Sequence, residues 1–283
     1  MTGREPESKK IIAIVQARMS ASRLPGKVLQ DINGEPMLVR VVERTHRSQW
    51  VDQVVVATSS DHSDDPIEDL CTKREYSCYR GNLNDVLDRY YQAAKHHSAG
   101  VVVRITADCP IIDPIVIDQT LMAFYGRGPS LITQSGQTLV NRNLLRDGIV
   151  PAWDFTANRL PPPWKRTFPI GLDTEVCTFS ALENAWRDAI QPHQREHVLP
   201  YLYENDQDFR IQILDHEPDY GDIRWTVDTP QDLELLRMIY ERFGGRDDFS
   251  WYEVLDLFKR EPKLADINAE IKHNDYRDFE TTS

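Results

Sequence analysis

The sequence predicts an α/β protein with a mostly parallel sheet covered by helices. In the first half of the chain, short β-branched runs alternate with segments whose apolar residues recur at helical spacing. Helix-start signals fall between these runs, because Asp65-Pro66 and Asp113-Pro114 each combine a capping acid with proline at the first helical position. A length of 283 residues with 40% hydrophobic content suits one main domain.

The order of the elements follows from where these patterns start and stop. β-branched runs predict strands over residues 11–16, 53–58, 77–79, 101–106, 172–178, 209–214 and 223–227. Apolar residues spaced three and four apart predict helices over residues 36–48, 83–97, 180–190, 193–204, 251–259 and 264–273. A further helix starts after Thr229, its expected N-cap, and Asp232 completes a variant of the capping box.

The domain organisation is read from breaks in these patterns. We expect a polar tail over residues 1–9, a main domain over residues 10–245, and helices over residues 246–283 that pack on the same domain. Residues 126–166 lose the periodicity and carry Gly- and Pro-rich breaks. They therefore predict an excursion of loops and short strands outside the main sheet.

The charge balance argues against a nucleic-acid partner, and the hydropathy argues against a membrane-spanning segment. Lys and Arg total 33 against 45 Asp and Glu, so the formal net charge of −12 repels phosphate backbones. The sequence has no apolar stretch of about 18 residues, and its start is too polar for a signal peptide, so we expect a cytoplasmic protein. The four cysteines lack the spacing of a metal site, and packing is the favoured role for Cys109.

The loop after the first predicted strand concentrates positive charge. Arg18, Arg23 and Lys27 lie in one short segment of an acidic chain. Ser20 and Gly26 in the same segment let backbone N–H groups approach an anion. This composition predicts a cradle for a nucleotide triphosphate. The residue after Lys27 is valine, where a P-loop needs Ser or Thr, which argues against a Walker-type ATPase.

Two aspartates follow other predicted strands. Asp108 comes after strand 101–106 and Asp228 after strand 223–227, and ligands of open α/β sheets bind beyond the carboxyl ends of strands. Two carboxylates facing a triphosphate suggest Mg²⁺ and nucleotidyl transfer, in which an acceptor oxygen attacks the α-phosphorus and pyrophosphate leaves. Alternatives stay open, since Asp108 can be a turn former and Asp228 an acid favoured at a helix start.

The same residues carry a family resemblance. Residues 17–27 are similar to the opening signature of the cytidylyltransferases that make CMP-activated sugars, including the 3-deoxy-manno-octulosonate and acylneuraminate enzymes. Over most of residues 10–275 the chain resembles more closely the SpsF-like branch of spore-coat polysaccharide synthesis. The motifs that carry this likeness are Arg80-Gly81 and residues 85–91, 103–110, 167–176, 195–198 and 224–230.

The resemblance implies a Rossmann-like nucleotide-diphospho-sugar transferase fold with a mixed, mostly parallel sheet. It implies CTP as co-substrate, Mg²⁺ held by Asp108 and Asp228, and catalysis by these aspartates together with Arg18 and Lys27. The nucleotide-binding residues that it implies are Ala17, Arg18, Met19, Ser20, Arg23, Lys27, Ala57, Thr58, Arg80, Gly81, Thr106 and Ala107. The implied acceptor-binding residues are Asn158, Gly171, Asp173 and Glu175.

Several of these roles have simpler alternatives. Arg80 can be a surface residue on a turn, and Asp173 and Glu175 alternate with apolar residues, as on a half-exposed strand face. His197 can be a helix-face residue. The stretch 130–153 looks longer than in the close relatives, so it can cover the acceptor, form a subunit contact or be a solvated insertion.

Three functions compete on this evidence. The favoured one is a Mg²⁺-dependent cytidylyltransferase, acting as a homodimer, that transfers CMP to a sugar, a sugar acid or a phosphorylated or phosphonate acceptor. A glycosyltransferase that consumes a nucleotide sugar typically carries an Asp-x-Asp motif, but here Ala107 precedes Asp108 and the paired motif is missing. In a non-catalytic nucleotide-binding module, cations and backbone suffice for binding, so the presence of both aspartates argues against it.

Overall fold

The computed structural model describes residues 10–128, 150–161 and 164–271, which build one seven-stranded sheet and a small hairpin. The strands of the sheet are β1 (Ile11–Gln16), β4 (Gln53–Ser59), β5 (Ser77–Gly81), β6 (Val101–Thr106), β7 (Phe155–Ala157), β8 (Glu175–Thr178) and β9 (Ile211–Ile213). They lie in the order β5-β4-β1-β6-β8-β7-β9. β5, β4, β1 and β6 are parallel, β8 is antiparallel to both of its neighbours, and β9 is parallel to β7. The predicted mixed, mostly parallel sheet is therefore confirmed.

The hairpin and the helices complete the fold. The hairpin pairs β2 (Asp31–Ile32) with β3 (Glu35–Pro36) in antiparallel register. The helices are α1 (Met37–His46), α2 (Asp65–Arg74), α3 (Val86–His96), α4 (Pro114–Phe124), α5 (Phe179–Asp188), α6 (Pro192–His197), α7 (Pro200–Glu204), α8 (Pro230–Arg242) and α9 (Trp251–Arg260). Thr229 caps α8 through the predicted capping box with Asp232, and Asp113 caps α4 by accepting a hydrogen bond from the Ile115 N–H.

The two faces of the sheet bury different helices. In β1, Ile11, Ala13 and Val15 pack with α1, α4, α8 and α9, whereas Ile12 and Ile14 pack with α3, α5 and α7. This alternation follows from the two-residue repeat of a strand, and both faces are apolar because both are covered. Gln16, the last residue of β1, lies on the same face as Ile12 and Ile14. Its polar side chain is therefore at the carboxyl edge of the sheet.

Three strand predictions need correction. The strand predicted over 223–227 is wrong, because Arg224 forms a single bridge with Ile170 and the Val227 N–H then donates to the Asp108 carbonyl, 2.8 Å away. The backbone there crosses to the loop after β6 instead of following a neighbouring strand. β8 begins at Glu175, later than predicted, because Gly171 with φ of +107° interrupts the extended chain before it. Within 126–166, β7 belongs to the main sheet, so the predicted excursion is wrong for that segment.

The predictions for the C-terminal half differ from the structure in detail. The helix predicted over 193–204 is two helices, because Val198 adopts a φ of +76° and Pro200 starts the second one. In place of the helix predicted over 264–273, a 3-10 helix covers Pro262–Asp266. Residues 1–9, residues 130–149 of the predicted insertion and the chain end from 272 lie outside the described residues. Across the described ranges, no helix has the length and apolar character needed to cross a bilayer.

Candidate active site

A cavity of about 680 Å³ lies at the carboxyl ends of β1 and β6. Its wall includes Asp108, Asp228 and residues of the loop after β1, residues 17–27, which we call the cationic loop. Two groups of side chains line it, one around the cationic loop and one beyond β6. The first contains Gln16, Arg18, Ala21, Ser22, Arg23, Lys27, Thr106, Ala107 and Asp108, and the second contains Arg104, Arg159, Trp164, Arg166, Asp173, Glu175, His197 and Tyr203.

The Lys27 ammonium joins the two aspartates. Its Nζ lies 3.0 Å from Asp108 Oδ2 and 2.9 Å from Asp228 Oδ1, and it donates a third hydrogen bond of 2.7 Å to the Val227 carbonyl. Because one nitrogen contacts both carboxylates, the ends of β6 and of the 223–227 segment converge on one point. The sequence prediction that Asp108 and Asp228 meet in space is thus supported by the geometry.

The charges at this point stabilise one another. Burial by itself disfavours the Asp108 carboxylate, but attraction to Lys27 and hydrogen bonds hold its pKa below the usual value of 3.8. The same balance of burial against Lys27 and Arg224 lowers the pKa of Asp228. Burial opposes the charged form of Lys27, and the two carboxylates outweigh it and raise its pKa above 10.5. All three groups are therefore ionised at neutral pH.

Asp228 is positioned by the start of α8. Asp232 is fully buried and accepts hydrogen bonds from Arg224 Nε at 2.9 Å and from the backbone N–H groups of Asp228 and Thr229, each at 3.0 Å. Arg224 Nη2 also donates to Asp228 Oδ2 at 2.7 Å. The capping box predicted from sequence therefore does more than start a helix, because it holds the Asp228 backbone and side chain in place.

The cationic loop is anchored from below by Asp64. Its Oδ1 accepts a hydrogen bond of 2.7 Å from the Met19 N–H, and its Oδ2 accepts one of 3.1 Å from the Ser59 N–H. Gly26, with φ of +71°, turns the loop back so that its N–H donates to the Met19 carbonyl at 2.8 Å. A third cation of the loop, Arg23, reaches Asp228 Oδ2 at 3.1 Å.

Three arginines stand in the half of the cavity beyond β6. Arg104 Nη1 donates to Glu175 at 2.6 Å, and Arg166 forms a two-pronged pair with Asp173. Arg159 is less engaged, since its closest carboxylate contact joins Nε to Asp173 Oδ2 at 3.6 Å. This half therefore has three guanidinium groups, of which two are closely paired.

Two of the predicted acceptor residues shape the wall from behind. Asn158 is fully buried and does not line the cavity; its amide donates to the Leu172 carbonyl at 2.7 Å and accepts from the Thr174 N–H at 2.9 Å. At Gly171, a Cβ atom would lie 2.7 Å from the Trp225 carbonyl carbon, so only glycine fits against that strand-like segment. Their contact with a substrate remains a prediction. The geometry supports a structural role, because Asn158 and Gly171 each hold neighbouring backbone segments close together.

The residues predicted near the base lie at the edge of the site. Ala57 and Thr58 are fully buried in β4, and with Arg80 and Gly81 they stand outside the cavity lining. Arg80 is engaged by Glu68 at 2.6 Å, by Asp65 at 2.7 Å and by backbone carbonyls. The side chains of Ala17, Met19 and Ser20 are likewise outside the lining, whereas Thr106 and Ala107 are within it. Their roles stay predictions.

Cys109 and His197 are neutral at physiological pH. Burial raises the pKa of the Cys109 thiol well above its usual value, and the thiol lies among Asp108, Thr106 and Thr226. This environment agrees with the packing role expected from sequence. Burial and the charge of Arg104 lower the pKa of His197 to about 4.

The sequence analysis missed six side chains that build this site. Asp64 anchors the loop, and the others line the cavity beyond β6, namely Arg104, Arg159, Trp164, Arg166 and Tyr203. The sequence offered one signal for this part of the site, namely Arg104 inside the β-branched run 101–106. An arginine in a buried strand needs a partner for its charge. Asp108 and Asp228 supply the oxygen ligands that Mg²⁺ prefers. Among the described residues, no three metal-binding side chains come together.

Comparisons with known proteins agree with this arrangement. A family model for cytidylyltransferases matches residues 12–243. The spore coat polysaccharide biosynthesis protein SpsF of Bacillus subtilis is 29% identical over 265 residues, covering 90% of this chain and 96% of that protein. A 3-deoxy-manno-octulosonate cytidylyltransferase of Chlorobaculum tepidum is 28% identical over 260 residues, covering 83% of this chain and 99% of that enzyme.

A solved structure extends the likeness to three dimensions. The cytidylyltransferase of Leptospira borgpetersenii shares 30% identity and a TM-score of 0.77, covering 94% of this chain and 99% of that one. The family model spans the cationic loop, Asp108 and Asp228, which are the groups that the fold brings together. The chain therefore belongs to the cytidylyltransferase family of nucleotidyltransferases.

Proposed function

We propose that this enzyme is a Mg²⁺-dependent cytidylyltransferase that transfers CMP from CTP to a small acceptor and releases pyrophosphate. One observation carries the proposal: Asp108 and Asp228 converge on the Lys27 ammonium, next to the cationic loop. The arrangement sets three loop cations and two ionised carboxylates around one cavity, which suits a triphosphate bound with a divalent cation.

The cationic and the acidic residues of the site have different proposed roles. Arg18, Arg23 and Lys27 bind the triphosphate oxygens and offset the negative charge that develops on the leaving pyrophosphate. Asp108 and Asp228 would hold Mg²⁺, which would polarise the phosphoryl group. An acceptor oxygen forms a bond to the α-phosphorus, the bond from that phosphorus to the bridging oxygen breaks, and the acceptor proton passes to solvent. No side chain needs to form a covalent intermediate.

Lys27 has to exchange partners during this cycle. Its ammonium pairs with both aspartates, at 3.0 Å from Asp108 and 2.9 Å from Asp228. A divalent cation bound with the triphosphate would give the carboxylates a new positive partner and would leave the Lys27 ammonium free to bind phosphate.

The acceptor side suits an acidic molecule. Arg104 and Arg166 are paired with Glu175 and Asp173, whereas the buried Nε of Arg159 has no hydrogen-bond acceptor among the described residues and lies 3.6 Å from Asp173 Oδ2. We assign Arg159 to an acidic group of the acceptor, a carboxylate or a phosphoryl group, which its planar fork can bind. This choice within the predicted acceptor classes also fits the Chlorobaculum tepidum relative, which is named for a sugar acid.

The remaining predictions form part of the same proposal. Residues Ala57, Thr58, Arg80 and Gly81 lie near the cytosine and ribose, and Gly171, Asp173 and Glu175 support the acceptor wall. We also propose that the enzyme is a cytoplasmic homodimer, because closed symmetric pairs are the common assembly.

A product screen tests the function directly. The enzyme is incubated with Mg²⁺, each of the four nucleoside triphosphates and pooled sugar, sugar-acid, sugar-phosphate and phosphonate acceptors. Pyrophosphate is measured, and mass spectrometry identifies the product. The proposal expects pyrophosphate and a CMP-linked acid with CTP. Sugar transfer from a nucleotide sugar without pyrophosphate, or CTP binding with no turnover of any acceptor, contradicts it.

A further inference from the structure

Gln16 is the last residue of β1, and its amide has an oxygen without a hydrogen-bond donor. The residue is half-buried, and its side chain lines the cavity of the candidate active site. Its Oε1 is buried, and no described residue donates a hydrogen bond to it. Because a buried acceptor without a donor destabilises a folded protein, we expect this position to have a role other than stability.

The chain satisfies a comparable glutamine elsewhere. Gln194 in α6 is buried, and its Oε1 accepts a hydrogen bond of 3.3 Å from the Gln191 N–H. Its Nε2 donates a hydrogen bond of 2.7 Å to Glu204. Buried polar groups in proteins normally find partners in this way. A molecule bound in the cavity can supply the donor that Gln16 lacks.

The backbone around Gln16 is fixed on both sides. Gln16 pairs in parallel register with Ala57 of β4 and with Thr106 of β6. Its carbonyl accepts a hydrogen bond of 3.0 Å from the Ala107 N–H, and the next residue, Ala17, donates one of 3.1 Å to the Ala57 carbonyl. The amide therefore extends from a rigid strand end, which suits a group that holds a reacting atom in place.

The amide is free to present its oxygen to the cavity. The last torsion of a glutamine side chain has broad, roughly two-fold preferences. Since no described residue donates to Oε1, a half turn of the amide breaks no hydrogen bond at that oxygen. A ligand with a donor group can therefore bind Oε1 without competing with the protein.

Gln16 lies where the two halves of the cavity meet. The cationic loop starts at the next residue, and Arg18 of that loop lines the cavity together with Gln16. On the other side, Thr106 also lines the cavity, and Arg104, two residues earlier in β6, lies in the half beyond this strand. A group bound at Gln16 is therefore between the triphosphate side and the acceptor side.

The chemistry of an amide oxygen limits what can bind there. The oxygen only accepts hydrogen bonds, so it does not suit the ionised oxygens of a phosphate or a carboxylate, which also only accept them. It suits a hydroxyl group, which donates its proton and keeps lone pairs for other interactions. In the proposed reaction, an acceptor hydroxyl that attacks the α-phosphorus would have to lie between the two halves.

We propose that Gln16 orients the attacking hydroxyl of the acceptor by accepting a hydrogen bond from it at Oε1. The hydroxyl oxygen forms a bond to the α-phosphorus, and the bond from that phosphorus to the bridging oxygen of pyrophosphate breaks. An amide is too weak a base to keep the proton, which passes to solvent as the new bond forms. This inference rests on the proposed cytidylyl transfer and adds the group that positions its nucleophile.

Removing the amide tests this role. Gln16→Met keeps the length of the side chain and removes both polar atoms. We expect kcat to fall about a hundredfold, the loss that accompanies a misplaced reacting group, while the dissociation constant for CTP changes less than about twofold. The melting temperature should stay the same or rise, because the variant loses a buried oxygen that has no partner. Initial rates, calorimetry with CTP and Mg²⁺, and thermal denaturation measure these quantities.

Thr156→Val is the matched control. Thr156 is fully buried in β7, lies outside the cavity lining, and has an Oγ1 that likewise lacks a hydrogen-bond partner among the described residues. Its replacement should also preserve or raise the melting temperature, but it should leave kcat unchanged. A Gln16→Met enzyme with the wild-type kcat contradicts the proposal. A variant that loses CTP affinity in parallel with kcat also contradicts it, because Gln16 would then contact the nucleotide.

The product of the wild-type enzyme provides a test without a variant. Phosphorus NMR distinguishes a phosphodiester, in which an oxygen joins the CMP phosphorus to carbon, from a linkage in which that oxygen joins two phosphorus atoms. We expect the phosphodiester, because Oε1 of Gln16 suits a hydroxyl and not a phosphoryl oxygen. A product with two phosphorus atoms joined through oxygen overturns the assignment.

These outcomes separate the two hypotheses. If the wild-type enzyme releases no pyrophosphate from CTP with any acceptor, the proposed function fails. If it does, and Gln16→Met is equally fast, the function stands and only the role of Gln16 is rejected.

Discussion

Lys27 and Asp228 are 201 positions apart in the chain, and their side chains are joined by a hydrogen bond of 2.9 Å. This contact brings the loop after β1 to the start of α8, while Asp108 completes the cluster from the end of β6. The protein therefore keeps the two carboxylates that we propose as metal ligands together with a cation of its own. Arg224 and Asp232 hold the far side of Asp228, so the cluster is supported on both sides.

Replacing Lys27 tests this electrostatic pairing through pH. In the wild type the lowered pKa values of Asp108 and Asp228 give stability that is present above 3.8 and is lost as pH falls through the folded values. The raised pKa of Lys27 gives stability present below 10.5 and lost as pH rises through its folded value. Lys27→Met should therefore lower the free energy of unfolding by about 2–4 kcal/mol near neutral pH.

Urea denaturation from acidic to alkaline pH measures this difference. The gap between wild type and Lys27→Met should be widest at neutral pH and should narrow at both extremes. Lys259→Met, which removes an exposed lysine paired with Asp256, is the control and should change little. A gap that is independent of pH would show that Lys27 contributes packing and not charge.

Asp232→Asn tests how Asp228 is positioned. Asp232 accepts hydrogen bonds from Arg224, from Asn268 and from two backbone N–H groups, and the amide cannot replace all of these interactions. We expect a loss of about 2–4 kcal/mol in unfolding free energy and at least about a tenfold fall in kcat/KM. Steady-state kinetics and thermal denaturation measure both, with the exposed Asp256→Asn as control. Unchanged kcat/KM in a folded Asp232→Asn enzyme rejects the positioning role.

Gly171→Ala tests the contact that sets the segment before Asp228. The added Cβ would meet the Trp225 carbonyl carbon at 2.7 Å, at a φ of +107° that alanine avoids. We expect a loss of about 3 kcal/mol or more in unfolding free energy. Gly34→Ala is matched, since Gly34 has a φ of +89° and open space around it, so its loss should be about 1 kcal/mol. Equal losses in the two variants would mean that the contact with Trp225 is unimportant.

Arg159→Gln tests the acidic character of the acceptor. Losing a charged fork at the acceptor side should raise the acceptor KM about tenfold or more, while the KM for CTP should change less than about twofold. Initial rates at varied acceptor and fixed CTP, and the reverse, distinguish the two constants. The prediction is contradicted if both KM values rise together or if neither does.

The parallel half of the sheet could be predicted because its strands are unbroken β-branched runs. β1 and β6 were placed with their observed bounds, and the apolar faces of α1 and α3 followed from helical spacing. The segment 223–227 has the same composition, yet it makes one bridge to Ile170. Local composition favours an extended backbone, but strand pairing depends on which neighbour the fold supplies.

The site could be predicted only where its residues follow strand ends. Asp108, Asp228 and the loop cations were found because the carboxyl edge of a sheet gathers them. Asp64 lies in an acidic run before a helix and resembles an ordinary capping residue, so its contact with the Met19 N–H could not be expected. Arg159 lies in the aperiodic stretch 126–166, where no pattern relates sequence to position.

The central claim is most directly tested by pyrophosphate release from CTP with an accepted substrate, comparing wild type with Asp108→Asn. This substitution keeps the size of the side chain and removes the charge that faces Lys27 and the proposed metal site. Our account predicts a fall of about a thousandfold or more in turnover, with the folded structure retained in circular dichroism. A folded Asp108→Asn enzyme that turns over CTP at the wild-type rate contradicts it.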